Sequence, residues 1–261
     1  MRIQSEIKVE VRKKVIGGST PLICIPLVAE DKHALLDQAA ILQPLQPDMV
    51  EWRVDGYKGV EDTADCLAAL DALRSAIGDT PLLFTCRIEA EGGLQPISQK
   101  TRRTLIEAAI RSGGIDIVDI ELINDGSFIE NIRRAAGNHG VKLILSYHDF
   151  KKTPDENFIF ETLKHAQTLG ADIAKVAVMP KGYPDVLTLL KATMRARTEA
   201  VKIPLVTMSM AQEGVITRMA GGLFGSDITF AMGQASSAPG QIPIGDLRQA
   251  MALLYPHLSV I

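Results

Sequence analysis

Short apolar runs alternate with longer amphipathic stretches along the 261-residue chain. Apolar runs of about four to eight residues bounded by turn residues are typical of buried strands, whereas apolar residues three and four positions apart are typical of helices. Residues 31–42 and 183–197 have the helical pattern, and Val186, Leu189 and Leu190 share one apolar face. The strand candidates are residues 22–28, 48–54, 81–88, 115–122, 141–148, 172–179, 203–210 and 227–232.

The spacing of these strand candidates predicts an α/β protein with a (β/α)8 TIM-barrel fold. Successive candidates start about 24 to 34 residues apart, which is the length of one strand–loop–helix unit. Regular alternation implies parallel strands joined by helical crossovers, and eight such units fit a closed barrel better than an open sheet. An open doubly wound sheet often has a glycine-rich phosphate loop after its first strand. Residues 27–32, LVAEDK, contain no glycine.

The segment before the first barrel strand has a different pattern. Residues 7–18, IKVEVRKKVIGG, alternate apolar and charged positions and end in two glycines. This alternation predicts a β-hairpin that closes the N-terminal end of the barrel. No linker or low-complexity stretch interrupts the chain, so we expect one domain over residues 1–261, with residues 1–18 as its hairpin extension.

Composition excludes several classes of partner. The 28 Lys and Arg against 31 Asp and Glu give a net charge of −3, which provides no long-range attraction for nucleic acid or an anionic membrane. No apolar run approaches the ~18 residues that span a bilayer, and the first residues are charged where a signal peptide is apolar. Cys24, Cys66 and Cys86 lack CxxC spacing, and the five histidines form no HxH or HExxH pair. We therefore expect a cytoplasmic protein with reduced thiols, no metal and no cofactor.

Two charged residues occur on a strand face that should point into the barrel. Residues two apart on a strand share a face, so Glu51 and Arg53 point inward while Val50 and Trp52 face the helices. A buried structural ion pair is one interpretation. Because an unpaired buried charge is costly, their position at the end of a strand favours a role in binding or catalysis.

Lys175 is the strongest single indication of chemistry. It lies inside the apolar run DIAKVAVM, residues 172–179, and lysine is rarely buried without a functional reason. Desolvation and nearby cations disfavour the ammonium form and produce a nucleophilic amine. The alternatives are a lysine that reaches solvent or one that pairs with Glu121.

Other candidates lie at or near the ends of predicted strands. His148 ends the fifth strand, and Arg87 lies near the end of the third. Barrel enzymes place their chemistry at these strand ends. Asp119 and Glu121 share one face of the fourth strand, and we interpret them as neutralising inward basic residues.

The last part of the chain adds an arginine and a loop. Arg218 lies in a short glycine-rich segment, GVITRMAGG, residues 214–222. The segment SSAPGQIP, residues 236–243, predicts a long loop of the kind that closes over a site. Ser237 and Gln241 of this loop could hydrogen-bond a hydroxylated ligand or could be ordinary turn residues.

These residues together resemble the type I 3-dehydroquinate dehydratases, a family of metal-free enzymes. Each motif is short, but their order and spacing are specific and cover nearly the whole chain. The matching motifs are EWR (51–53), LLFTCR (82–87), EGG (91–93), SYHDF (146–150), KVAVMP (175–180), TMSM (207–210), GVITR (214–218), FGS (224–226), TF (229–230) and SAPGQ (237–241).

The resemblance implies a Schiff-base hydro-lyase that converts 3-dehydroquinate to 3-dehydroshikimate in the shikimate pathway of aromatic amino acid biosynthesis. Lys175 matches the Schiff-base lysine, His148 the general acid and base, and Glu91 the carboxylate that orients the histidine. Family members are usually homodimers. The residues that match substrate-binding groups are Glu51 and Arg53 for the hydroxyls, with Arg87 nearby, Arg218 for the carboxylate, and Ser237 and Gln241 in the lid.

Two positions depart from the family pattern. Pro26 stands where some members have serine, and Tyr147 where some have asparagine.

Two other functions are compatible with parts of the sequence. A class I aldolase would share Lys175 but not the EWR, SYHDF and SAPGQ motifs. A sensor that binds the ligand without turnover could lose Lys175 or His148, and both are present.

Overall fold

The computed structural model describes residues 2–233 and 238–255, and its strands and helices follow each other in the predicted alternation. The strands are β1 (Val9–Val11), β2 (Lys14–Ile16), β3 (Leu22–Leu27), β4 (Met49–Arg53), β5 (Leu82–Thr85), β6 (Ile117–Glu121), β7 (Lys142–Asp149), β8 (Ile173–Val178), β9 (Leu205–Ser209) and β10 (Ile228–Phe230). The helices are α1 (Lys32–Leu42), α2 (Thr63–Ile77), α3 (Gln99–Ser112), α4 (Gly126–His139), α5 (Glu156–Thr168), α6 (Tyr183–Glu199), α7 (Val215–Ala220) and α8 (Ile244–Leu254).

Strands β3 to β10 form one parallel sheet that is nearly closed into a barrel. Neighbours in the sheet follow chain order from β3 to β9, and β10 pairs with β3. At the remaining seam, Leu205 bridges Ser226, and the N–H of Asp227 donates to the carbonyl of Leu205 at 2.6 Å. The predicted (β/α)8 TIM barrel is confirmed.

Each of the eight predicted barrel strands is present, with ends that differ from the predicted bounds by at most three residues. The largest difference is in β5, which ends at Thr85 although the apolar run continues to residue 88. The chain leaves the ladder there to form a 3-10 turn over Glu89–Glu91. This turn belongs to the end of the barrel where the candidate residues lie.

Side chains alternate between the barrel interior and the helix layer as predicted for residues 49–55. Met49 belongs to the cluster inside the barrel, whereas Val50, Trp52 and Val54 belong to the core between sheet and helices. The indole ring of Trp52 meets Phe84 edge-on, with centroids 5.6 Å apart. The alternation therefore turns Glu51, two residues after Met49, toward the interior.

The lower barrel interior is apolar and is closed by the N-terminal hairpin. Strands β1 and β2 pair antiparallel, and their Val9, Val11 and Ile16 share one cluster with the interior side chains. Lys14 of the hairpin pairs with Asp48 at 2.6 Å, and Asp48 directly precedes β4. The hairpin therefore covers the N-terminal end of the barrel, as predicted, and leaves the C-terminal end of the barrel uncovered by it. The interior cluster includes Cys24, Met49, Leu83, Ile117, Ile144, Ile173, Val206 and Ile228.

The three cysteines are buried free thiols, as expected from their spacing. Burial raises the pKa of Cys66 and of Cys86 to about 12, which keeps both thiols protonated at neutral pH. Among the residues described, no helix combines the length and apolar character needed to cross a membrane.

Candidate active site

A cavity at the C-terminal ends of the barrel strands collects the residues that the sequence singled out. Strand ends on a closed parallel barrel converge at one mouth, so side chains distant in sequence meet there. Ser237, one of the nine candidates, lies outside the described residues. The other eight line the cavity: Glu51, Arg53, Arg87, Glu91, His148, Lys175, Arg218 and Gln241.

Lys175 projects from β8 into this cavity and is only 4% exposed. Its Nζ lies 2.7 Å from Oδ2 of Asp119 and 5.0 Å from the centre of the Phe230 ring. The alternatives of a solvent-reaching lysine and of a pair with Glu121 are both wrong. Asp119 is the partner because the oxygens of Glu121 already accept hydrogen bonds from Arg87 and Arg102.

Asp119 is fully buried and ionised. Its Oδ1 accepts hydrogen bonds from Ser146 at 2.6 Å and from Arg87 at 3.0 Å, while Oδ2 faces Lys175. Burial opposes ionisation of this carboxyl, but the charges of Arg87 and Lys175 outweigh it and hold the pKa of Asp119 well below its usual value. The carboxylate therefore stays available to the lysine throughout the neutral range.

Arg87 uses its guanidinium to hold the two carboxylates of β6 together. It lies 2.9 Å from Asp119 and 2.9 Å from Glu121, and it donates to Ser146 at 2.8 Å. Burial disfavours the charge, but the two carboxylates outweigh burial and raise the pKa of Arg87 above its ordinary value. The interpretation of Asp119 and Glu121 as neutralising inward basic residues is confirmed.

Glu91 reaches His148 from the 3-10 turn that follows β5. Its Oε2 accepts the main-chain N–H of His148 at 2.8 Å and lies 2.9 Å from the ring Nδ1. The turn needs its glycine pair, since Gly92 has a φ of 87° and a Cβ on Gly93 would overlap the carbonyl oxygen of Arg87. The two glycines of the EGG motif therefore allow the turn that positions the Glu91 carboxylate against His148.

Burial shifts both members of the Glu91–His148 pair toward their neutral forms. It raises the pKa of Glu91 to about 8. Burial, together with the cations Arg87 and Lys175, lowers the pKa of His148 well below its ordinary value. The imidazole is therefore uncharged at neutral pH, and its Nε2 can accept a proton once Glu91 is ionised.

Glu51 and Arg53 line the cavity with different partners. Arg53 donates to both oxygens of Asp55, at 2.9 and 2.7 Å, and to the carbonyl of Gly92 at 3.1 Å. Glu51 accepts a hydrogen bond from the hydroxyl of Thr85 at 2.8 Å. The alternative of a structural ion pair between Glu51 and Arg53 is therefore wrong.

Arg218 is a buried cation whose hydrogen-bond acceptors among the described residues are neutral. It lies on α7, is 2% exposed, and donates to the carbonyls of Phe230 at 3.3 Å and Pro239 at 2.9 Å. Burial lowers its pKa to about 10, so the guanidinium remains charged at neutral pH. No carboxylate pairs with it among residues 2–233 and 238–255, and a buried cation without an anion favours an anionic ligand.

Some residues at the mouth were not singled out as candidates from the sequence. Asp55 and Ser146 lie on inward strand or strand-end positions, so the two-residue alternation was their signal. Arg102 comes from a helix and had no such signal. Within the described part of the chain, no three His, Cys, Asp or Glu side chains are arranged to hold a metal ion.

Comparison with known proteins agrees with this geometry. A family model for type I 3-dehydroquinase matches residues 23–257. The 3-dehydroquinate dehydratase of Geobacillus thermodenitrificans is 44% identical over 250 residues, covering 95% of this chain and 96% of that protein.

Solved structures show the same relationship. The 3-dehydroquinate dehydratase of Geobacillus kaustophilus superimposes with a TM-score of 0.95 at 46% identity, covering 99% of this chain and 100% of that one. The type I enzyme of Clostridium difficile, solved with covalently modified comenic acid, has a TM-score of 0.93 at 40% identity and covers 97% of this chain and 99% of its own. With most of the chain matched in sequence and fold, this protein belongs to the type I 3-dehydroquinase family.

Proposed function

We propose that this protein dehydrates 3-dehydroquinate to 3-dehydroshikimate in the shikimate pathway, through an imine on Lys175 with His148 as general acid and base. The observation that carries the proposal is the buried amine of Lys175, which shares one cavity with His148 and Arg218. The names of the relatives, 3-dehydroquinate dehydratase, support the same reaction.

In the first step the amine of Lys175 adds to the C3 ketone of the substrate. The amine, which Asp119 holds in the free site, adds in its unprotonated form, and the proton it releases goes to the oxygen of the former ketone, which leaves as water. The carbinolamine then loses water and becomes an iminium, which attracts electrons more strongly than the ketone and makes the neighbouring C2 proton easier to remove. The structure of the C. difficile relative with covalently modified comenic acid supports covalent chemistry in this family.

In the second step His148 moves a proton between C2 and the leaving hydroxyl. Neutral imidazole takes the C2 proton and leaves an enamine, and the resulting imidazolium protonates the C1 hydroxyl as the C1–O bond breaks. One water leaves, and a second water hydrolyses the iminium to release the product and restore the amine. The net reaction is therefore the loss of one water.

The positions of His148 and Lys175 support this division of roles. They lie on neighbouring strands, where His148 pairs with Ala177 and Ser146 pairs with Lys175. Because residues two apart share a strand face, the imidazole and the amine point into the cavity from adjacent positions. The lowered pKa of His148 keeps its imidazole neutral for the first proton transfer.

The remaining residues that line the cavity are proposed to bind the substrate. Arg218 suits the carboxylate because a guanidinium forms two parallel charge-assisted hydrogen bonds with it. Glu51 and Arg53, with Arg87 nearby, suit the ring hydroxyls, and Gln241 lines the same cavity. Ser237 is proposed as a second lid contact on the family resemblance alone.

The proposal is tested by ultraviolet absorbance, since 3-dehydroshikimate is a conjugated enone and the substrate is not. We expect the wild-type protein to generate this absorbance from 3-dehydroquinate and Lys175→Met to abolish it. Lys181→Met is the matched control, because Lys181 follows β8 on the surface. An aldolase would produce no such chromophore, so wild-type protein that leaves the absorbance unchanged contradicts the proposal.

The resemblance also supports a homodimeric, cytoplasmic, single-domain enzyme. Light scattering on the purified protein tests the dimer, and a mass equal to one chain would contradict it. A single cooperative unfolding transition over residues 1–261 is expected of one domain. Fractionation of the source cells tests the location.

A further inference from the structure

Arg102 occupies a helix position where the pattern calls for an apolar side chain. The other four buried residues of α3 are Leu105, Ile106, Ala109 and Ile110. Arg102 is 2% exposed and lies on the same face. A buried ion pair seldom adds more stability than well-packed apolar residues of similar volume, so packing alone does not explain an arginine here.

The guanidinium of Arg102 contacts two groups next to Arg87, the carbonyl of Cys86 and the carboxylate of Glu121. Its Nη2 lies 2.6 Å from Oε2 of Glu121, and its Nε donates to the carbonyl of Cys86 at 3.0 Å. Cys86 directly precedes Arg87, and the other oxygen of Glu121 lies 2.9 Å from the Arg87 guanidinium. Arg102 therefore restrains both the main chain and the side chain of Arg87.

A line of alternating charges continues from Glu121 to the catalytic amine. Arg87 lies 2.9 Å from Oδ2 of Asp119, and the same oxygen lies 2.7 Å from Nζ of Lys175. Each side chain in the line is at most 5% exposed, so water screens the interactions weakly. Loss of the charge of Arg102 at one end of this line therefore affects the position of Lys175 at the other.

We infer that Arg102 is a positioning residue for Lys175, acting from the helix layer through Glu121, Arg87 and Asp119. Without Arg102, the main chain at Cys86 and the side chain of Glu121 are no longer held in place, so the Arg87 guanidinium can shift and holds Asp119 less firmly. The carboxylate of Asp119 is then less well positioned, and the amine of Lys175 is less well oriented toward the substrate ketone. The inference rests on the proposed imine mechanism.

The test compares Arg102→Gln with Arg103→Gln. Both remove one positive charge from α3, but Arg103 is partly exposed and pairs with Glu107 on the surface. We expect Arg102→Gln to lower kcat and the rate of borohydride trapping with 3-dehydroquinate by about tenfold to a hundredfold, as a misplaced reactive group does. KM should stay within about twofold, because Arg218, Arg53 and Glu51 keep their own hydrogen-bond partners, and Arg103→Gln should match the wild type.

Rescue by a conservative variant separates positioning from general damage. Arg102→Lys keeps the cation opposite Glu121, so its kcat should lie between those of Arg102→Gln and the wild type. Thermal unfolding of each variant shows whether it is folded at the assay temperature. If Arg102→Gln does not fold, Arg102→Gln with Glu121→Gln leaves no unpaired buried charge and is expected to show the same loss of kcat.

The inference is overturned if the folded Arg102→Gln variant, or the double variant in its place, keeps kcat within about twofold of the wild type. It is also overturned if the loss appears in KM alone, or if Arg102→Lys is no better than Arg102→Gln. Wild-type protein that produces no enone would instead remove the proposed function, and this inference with it.

Discussion

Oε2 of Glu91 lies between two nitrogens of His148, 2.8 Å from the main-chain N and 2.9 Å from the ring Nδ1. With Glu91 ionised, Nδ1 carries the proton and Nε2 is free to act as a base. One further proton leaves Nε2 protonated when it lies on the imidazole, or when it lies on Oε2 of Glu91 and is donated to Nδ1. The two groups therefore titrate as a pair, and the basic form of the site exists only after the pair has lost this proton.

Replacement of Glu91 by glutamine should move the pH dependence of kcat/KM. Burial raises the pKa of Glu91 to about 8, so in the wild type the basic form is lost as pH falls through that value. In Glu91→Gln only His148 titrates, and its pKa is well below 6.5. The acid limb should therefore move to below pH 6.5, while kcat falls by about a hundredfold because the ring is less well held.

The matched control for this change is Glu89→Gln, in the same 3-10 turn but on the surface. It should leave the pH profile of kcat/KM in its wild-type position. An acid limb that stays in place in Glu91→Gln would show that Glu91 does not share the proton of the site.

Removal of Arg218 should weaken substrate binding. The guanidinium is buried without a carboxylate partner among the described residues, so the substrate carboxylate would supply the missing charge. Arg218→Ala is expected to raise KM by about a hundredfold or more, the usual loss when one side of a buried charge pair is removed. Arg218→Lys keeps the charge but not the two parallel hydrogen bonds and should be intermediate.

Steady-state kinetics with 3-dehydroquinate measures this effect. Arg195→Ala serves as the control, because Arg195 pairs with Glu199 on the surface of α6. An unchanged KM in Arg218→Ala would exclude Arg218 from carboxylate binding.

The hairpin should contribute stability and not chemistry. Ile16 is completely buried in the cluster that fills the lower barrel, whereas Val15 on the same strand is 39% exposed. Ile16→Ala is expected to lower the free energy of unfolding by about 2 to 5 kcal/mol, and Val15→Ala by well under about 1 kcal/mol. Urea unfolding measures both, and equal losses would contradict a hairpin that closes the barrel.

Patterns in the sequence predicted the fold and the strand residues Glu51 and Lys175 that face the cavity. Strand spacing predicted the barrel, and the two-residue alternation placed Glu51 and Met49 inside and Trp52 outside. These features depend on local periodicity, which a single chain displays directly.

The pairing of charges inside the barrel could not be predicted from the same patterns. Lys175 and Asp119 lie on strands separated by β7, so their contact depends on the register across three strands and on which oxygens are already occupied. Arg102 was missed because it comes from the helix layer, and the periodicity of α3 alone favours an apolar residue there. Such contacts depend on tertiary geometry and not on local pattern.

The measurement that tests the imine mechanism most directly is borohydride reduction in the presence of 3-dehydroquinate, followed by mass analysis of the peptides. We expect one ligand-derived adduct, on the peptide that carries Lys175, and no adduct in Lys175→Met. In His148→Ala the trapped adduct should retain the C1 hydroxyl and so have the mass of a reduced substrate imine, because elimination fails after the imine has formed. Reduction that leaves Lys175 unmodified in a protein that still produces the enone would contradict the imine mechanism.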